Sequence, residues 1–107
     1  IGQAASRNVK LVERAAQITA YETRASGISW NFSPVLDLGM DPRFSRMWES
    51  FGEDPYLTSV LGVAMIDGYE GKNNDIGHPN HLASTMKHFF GLPCGSFRKR
   101  PHSRLYF

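Results

Sequence analysis

A chain of 107 residues with 41% hydrophobic and 21% charged content has the composition of one small globular domain, which excludes disordered, collagen-like and low-complexity classes. The formal net charge of +2 decides little, since Arg98, Lys99, Arg100 and Arg104 near the end supply much of it, and the single cysteine, Cys94, cannot close an internal disulfide, so the compartment stays open. No apolar run approaches the roughly 20 residues that span a bilayer, and a start at Ile1 is consistent with a piece whose leader lies upstream.

The first element is an amphipathic helix from Asn8 to Ala25. Val9, Leu11, Val12, Ala15, Ala16, Ile18 and Ala20 recur at helical spacing, with Lys10, Glu13, Arg14 and Gln17 between them. Alanine raises its propensity, and Gly27 is placed to stop it. Glu22 and Arg24 near its end read as solvated or packing-support charges rather than as a functional pair.

Asn31 to Leu38 reads as a short buried strand. Phe32, Val35, Leu36 and Leu38 are apolar, Pro34 is tolerable only at an edge or a bulge, and Gly39 ends the run. A long loop follows, in which Asp41, Arg43, Arg46, Glu49, Glu53 and Asp54 are interleaved with Phe44, Trp48 and Phe51. A connection this long inside a compact domain is characteristic of a binding loop. Trp48 and Phe51 are expected to pack rather than to stack on a ligand.

Asp54 as N-cap and Pro55 at the first helical position open a second helix, whose Leu57, Val60, Leu61, Ala64 and Met65 form a core-facing stripe. It fades near Gly68 to Gly71, and Lys72 to Asn80 is a polar surface loop. His78 and His81 lie three apart, but no carboxylate or cysteine at ligand spacing accompanies them, so neither a metal nor a cofactor is expected. Leu82 to Met86 reads as a second short strand ending in Lys87-His88. Strand, helix, strand makes a βαβ unit with parallel pairing and a right-handed crossover, an α/β fragment with polar groups at its strand ends.

The stretches SPVLDLG, DPRFSR, WESFGEDPYL and Lys87-His88-Phe89 together resemble the N-terminal domain of glycoside hydrolase family 3, the β-glucosidase and β-xylosidase group, over Ile1 to Gly91. The resemblance implies that residues 1–91 are part of a (β/α)8 TIM-type barrel, in which working residues occupy the C-terminal ends of strands and the loops after them. It implies that Arg46, Lys87 and His88 hold the non-reducing sugar of a β-linked glucoside or oligosaccharide, since charged donors suit a fixed array of hydroxyls. Glu49, three residues after Arg46, is placed either to orient that guanidinium or to form a plain surface pair with it. Met40 departs from the arginine that many members carry before Asp-Pro-Arg and removes one possible loop ion pair.

In the family the nucleophilic aspartate comes from a later barrel strand, the acid/base from further on, and a sugar-binding aspartate from upstream. All three are expected outside this chain, and Asp37, Asp41, Glu49, Glu53 and Asp54 are not promoted to replace them. The implied complete protein is a retaining, exo-acting β-glucosidase, periplasmic or secreted, with β-xylosidase as a neighbouring reading. A β-N-acetylglucosaminidase fits less well, because Phe90-Gly91-Leu92 lacks that branch's Pro-Gly-His-Gly loop. The competing reading is a small non-catalytic module whose basic tail contacts nucleic acid or an acidic partner, but Arg98 to Arg104 offer neither an aromatic platform nor a recognition fold. No nucleic-acid or membrane partner is expected, and the oligomeric state is left open.

Residues 92–107 depart from the family pattern, which would continue Tyr-Pro and then Ser-Gly-Lys-Asp-Arg-Thr. The genetic code accounts for the departure. Phe97 to Arg104, encoded as TTC AGG AAA AGA CCG CAC TCC CGC before a Leu codon starting with C, reads from its second base as Ser-Gly-Lys-Asp-Arg-Thr-Pro-Ala. The tail is therefore expected to be the family segment read in a shifted frame.

Overall fold

The computed structural model describes residues 2–88. The expectations for Phe89, Cys94 and the tail at 92–107 lie outside the described residues.

Helix α1, Gly2–Ser6, is a short turn that sequence periodicity did not signal. Helix α2 spans Val9–Ala25 and begins where Asn8 accepts a hydrogen bond from the Leu11 amide at 3.1 Å, satisfying one of the orphan donors of the first turn. It ends at Ser26, whose amide returns to the Glu22 and Thr23 carbonyls, and Gly27 then takes φ +81°, which only glycine adopts without cost. Helix α3 spans Pro55–Glu70; Asp54 accepts from the Tyr56 amide at 2.9 Å and Pro55 occupies the first turn as expected.

The core is the seam between α2 and α3. Val12, Ala16 and Ala20, spaced four apart, turn inward from α2, and Leu61, Ala64, Met65 and Tyr69 meet them from α3. The small residues let the helices approach closely: a β-carbon at Gly68 would collide with the Glu13 carbonyl oxygen and with the Ala16 side chain. Val9, Leu11 and Ile18, read from spacing as part of the same stripe, stay 40%, 52% and 45% exposed, so the buried face of α2 is narrower than its apolar face.

The expected strands Asn31–Leu38 and Leu82–Met86 do not form a ladder among the described residues. What forms instead is a pair of isolated parallel bridges, Trp30 with Ala83 and Val35 with Lys87. The Ala83 amide donates to the Ser29 carbonyl and its carbonyl accepts from the Asn31 amide, both at 3.0 Å. Five residues on in the first segment and four in the second, the Lys87 amide donates to the Pro34 carbonyl at 2.9 Å and the Leu36 amide to the Lys87 carbonyl at 2.6 Å. The first segment spends one more residue than the second between the bridges. Pro34 has no amide to offer at that point, so the pairing is interrupted at the residue expected only at an edge or a bulge. The strand expectation is corrected in this sense, while the parallel direction of pairing stands.

Side chains of the first segment divide between two faces. Ser33 turns toward α3, donating to Met65 Sδ at 3.6 Å and accepting from Tyr69 Oη at 3.3 Å. Trp30 and Phe32, with ring centroids 4.8 Å apart, are 54% and 62% exposed. The second segment is held to the end of α3. The Leu82 amide donates to the Tyr69 carbonyl at 2.8 Å, and Glu70 Oε1 accepts from both the Ser84 amide at 2.9 Å and Ser84 Oγ at 2.6 Å. These bonds carry Lys87 and His88 to the end of the first segment.

Candidate functional site

Two chain segments far apart in sequence meet beyond the Val35–Lys87 bridge. Asp37 lies between Leu36 and Leu38 near the end of the first segment's apolar run, and the Leu36 amide bond to Lys87 sets it opposite His88. The Asp37 side chain is 1% exposed. Its Oδ2 lies 2.6 Å from His88 Nδ1, and its Oδ1 accepts from the His88 backbone amide at 3.3 Å. A carboxylate accepts only, so Nδ1 carries the proton of that bond, and in the tautomer protonated there alone Nε2 is an acceptor. The Lys87–His88 peptide is cis.

Arg46 approaches the other edge of the ring, with Nη1 3.4 Å from His88 Nε2. It sits just before the short 3-10 turn Met47–Glu49, which brings Glu49 back beneath it. Arg46 Nε donates to Glu49 Oε1 at 2.6 Å and Nη2 to Oε2 at 2.7 Å, the bidentate fork that fixes a guanidinium plane. The fork raises the Arg46 pKa and lowers that of Glu49, in both cases chiefly through this hydrogen bonding; the charges of Arg46 and Lys87 lower Glu49 further.

The loop before this turn uses its own charges internally. Asp41 accepts from the Arg43 amide at 2.9 Å and pairs with Arg43 Nη2 at 2.6 Å, which pulls its pKa down from 3.8 to about 2. Arg43 is thereby committed to the turn, whereas Arg46, three residues on, faces the second segment. Phe51 is buried at 8% exposure, and its neighbour Ser50 closes the loop by donating to the Met47 carbonyl. Trp48 is 63% exposed and lies outside the core.

Of the residues expected at a site, Arg46, Glu49 and His88 come together directly. Lys87 joins them through its backbone bridge to Val35 and through the field it exerts on Glu49. Asp37 was given no role by sequence reasoning, although an acidic residue enclosed by Leu36 and Leu38 in an apolar run was a signal that it faces a partner rather than solvent. His78 and His81 lie elsewhere, their rings 4.5 Å apart, with Nδ1 of His81 2.7 Å from the Asp75 carbonyl and Nδ1 of His78 accepting from the Asn80 amide. Arg24, beside them, donates to the Pro79 carbonyl at 3.5 Å and so tethers that loop. No described group of three His, Cys, Asp or Glu side chains is arranged to hold a metal ion.

The charge balance decides what class of ligand suits the cluster. Arg46 and Lys87 are offset by Asp37 and Glu49, and the guanidinium is already paired in plane. Such a site lacks the excess positive charge that phosphate or nucleic acid requires, yet it offers fixed N–H donors and one ring acceptor to uncharged hydroxyls. The pattern of the family described as Glycosyl hydrolase family 3 N terminal domain matches residues 1–98. The chain belongs to this family. It is 46% identical over 93 residues to a lysosomal beta glucosidase of Dictyostelium discoideum, an alignment covering 84% of this chain and 11% of that protein. It is 42% identical over 94 residues to a beta-xylosidase of Formosa agariphila, covering 87% of this chain and 13% of the relative. Among solved structures, a mutant beta-glucosidase from Listeria innocua in complex with laminaribiose superposes with a TM-score of 0.76 at 42% identity, covering 80% of this chain and 12% of that one. The chain thus spans between a tenth and a seventh of the length of these relatives.

Proposed function

We propose that this chain is part of the (β/α)8 barrel of a retaining, exo-acting β-glycosidase of the β-glucosidase type, and that it supplies one wall of the first sugar subsite. Arg46, Lys87 and His88 hold the non-reducing sugar, and Glu49 fixes the plane of Arg46. The observation that carries this reading is the convergence of Arg46 and His88 on one charge-balanced edge, 3.4 Å apart and backed by Glu49 and Asp37. The face bearing Trp30 and Phe32, uncovered by the helices, fits the inner side of a barrel whose remaining strands lie outside this chain.

Hydrolysis in such an enzyme passes through a covalent glycosyl-enzyme intermediate, with a nucleophilic carboxylate and an acid/base about 5 to 5.5 Å apart. Neither role is assigned here to a residue of this chain. What these residues contribute is binding and orientation: a sugar locked by donors in a fixed geometry presents its anomeric carbon to a nucleophile in the rest of the barrel.

The similarity to a beta-xylosidase at 42% identity favours a second specificity within the same reaction class. Both are tested by assaying the complete protein that carries this segment against aryl β-glucosides, β-xylosides and N-acetyl-β-glucosaminides. Preferential turnover of glucoside is expected; preferential turnover of xyloside supports the second reading, and turnover of none of them rejects both.

A further inference from the structure

We infer that Asp37 is the positioning residue of the sugar subsite, holding His88 in the tautomer that makes its Nε2 a hydrogen-bond acceptor for one specific sugar hydroxyl; the inference rests on the subsite reading above. Most of a sugar-binding wall made of Arg and Lys can only donate. A hydroxyl has both a proton to give and lone pairs to receive, so a site of donors alone leaves its proton without a partner. His88 can receive that proton when its ring is protonated on Nδ1 alone, that is, only while Nε2 is bare.

The geometry imposes that state from the buried side. Asp37, 1% exposed, receives the Nδ1 proton at 2.6 Å and the backbone amide of the same residue at 3.3 Å, so ring and main chain are gripped by one carboxylate. Arg46 Nη1, 3.4 Å from Nε2, aims a donor at the same atom, consistent with a bare nitrogen there, whose single lone pair passes from this long contact to the sugar hydroxyl when sugar binds. An amide in place of the carboxylate keeps the shape and reverses the chemistry. Its oxygen accepts from the backbone amide, its NH2 donates to Nδ1, and the ring is driven to carry its proton on Nε2, as when the acid behind a catalytic histidine is made an amide. Nε2 then becomes a donor facing the donor of Arg46.

The experiment uses the complete protein with aryl β-glucosides in which the 3-, 4- or 6-hydroxyl is replaced by hydrogen or by fluorine, which accepts weakly and cannot donate. In the wild type, one position is expected at which the fluoro substrate is no better than the deoxy substrate, since both lack the proton His88 receives. In Asp37→Asn, kcat/KM for the parent glucoside should fall about 10- to 100-fold, by analogy with the loss when the partner that orients a metal-bound histidine is removed. At that same position the fluoro substrate should now exceed the deoxy substrate by about 2- to 10-fold, the worth of one neutral hydrogen bond. A merely structural role for Asp37 lowers all the analogues together and leaves their ratios as in the wild type, and that pattern overturns the inference.

Should Asp37→Asn fail to fold, the 15N spectrum of the wild-type imidazoles decides, with His88 assigned by its loss in His88→Gln. A proton on Nδ1 alone supports the inference, and a proton on Nε2 contradicts it. Absence of glycosidase activity in the wild type would reject the subsite reading, while the ring spectrum still reports separately on the Asp37–His88 geometry.

Discussion

Gly62 and Gly68 lie on the same helix, and replacing each by alanine separates helix propensity from helix packing. Either substitution favours the helix by about 1 kcal/mol, because glycine pays more backbone entropy than alanine. At Gly62 the new methyl meets Leu36 Cδ2 at 2.7 Å, the tip of a side chain that can rotate away at about 0.5 to 1.5 kcal/mol, so the change should be close to neutral. At Gly68 it meets the Glu13 carbonyl and lies 2.5 Å from Ala16 Cβ, where carbon atoms prefer about 3.5 to 4.0 Å. Backbone cannot rotate away, so α2 and α3 must part by about 1 Å along the seam that buries Val12, Leu61 and Met65. Overpacking of this kind costs about 1 to 3 kcal/mol, and with nothing flexible to absorb it the upper end applies. Net of the propensity gain, Gly68→Ala should destabilise by about 2 kcal/mol, roughly 8 to 16 °C in Tm for a unit of this size. The assay is thermal melting of both variants and the parent by far-ultraviolet circular dichroism, under identical conditions. A Gly68→Ala protein that melts at or above Gly62→Ala would refute the close-packed seam.

The Asp41–Arg43 pair predicts an acid-side stability change. Because the folded carboxyl titrates near 2 instead of 3.8, its contribution is complete above the ordinary value and is lost as pH falls through that interval; Asp41→Asn should flatten stability against pH there, and an unchanged curve would dismiss the pair. The chain by itself should not hydrolyse aryl β-glucosides, since the reaction needs two carboxyl groups at fixed separation that the family supplies elsewhere; turnover by the pure 107-residue chain would overturn the site assignment. Reading the coding DNA from Leu92 onward tests the frame-shift account of the tail, which requires the second-base frame to spell Ser-Gly-Lys-Asp-Arg-Thr at Phe97 to His102.

Local signals fixed the two long helices in the sequence. The Asp54-Pro55 pair is a cap whose chemistry acts within three residues, and the Val12, Ala16, Ala20 spacing needs no knowledge of the rest of the chain, whereas Asn8, read as the first helical residue, is the N-cap in the structure. The segments around Val35 and Lys87 were legible as apolar runs, but a ladder depends on partners contributed by distant chain, and Pro34 removes a donor in between, so isolated bridges replace strands. The site divides the same way. The Arg46–Glu49 fork is a contact three residues apart and could be read directly, whereas Lys87 and His88 were assigned through family resemblance. Asp37 escaped because its meaning comes from a partner 51 residues away, reached only when the second segment docks on Glu70 and Tyr69.

The central claim is that Arg46 and Lys87 bind sugar, and the kinetics of Arg46→Ala and Lys87→Ala in the complete protein test it most directly. Each lost hydrogen bond from a charged donor is worth about 10- to 150-fold, so kcat/KM for an aryl β-glucoside should fall by at least about 10-fold in both variants with the protein still folded. Values within about twofold of the wild type in both folded variants, no more than a surface charge would cost, would contradict the account and remove these positions from the subsite.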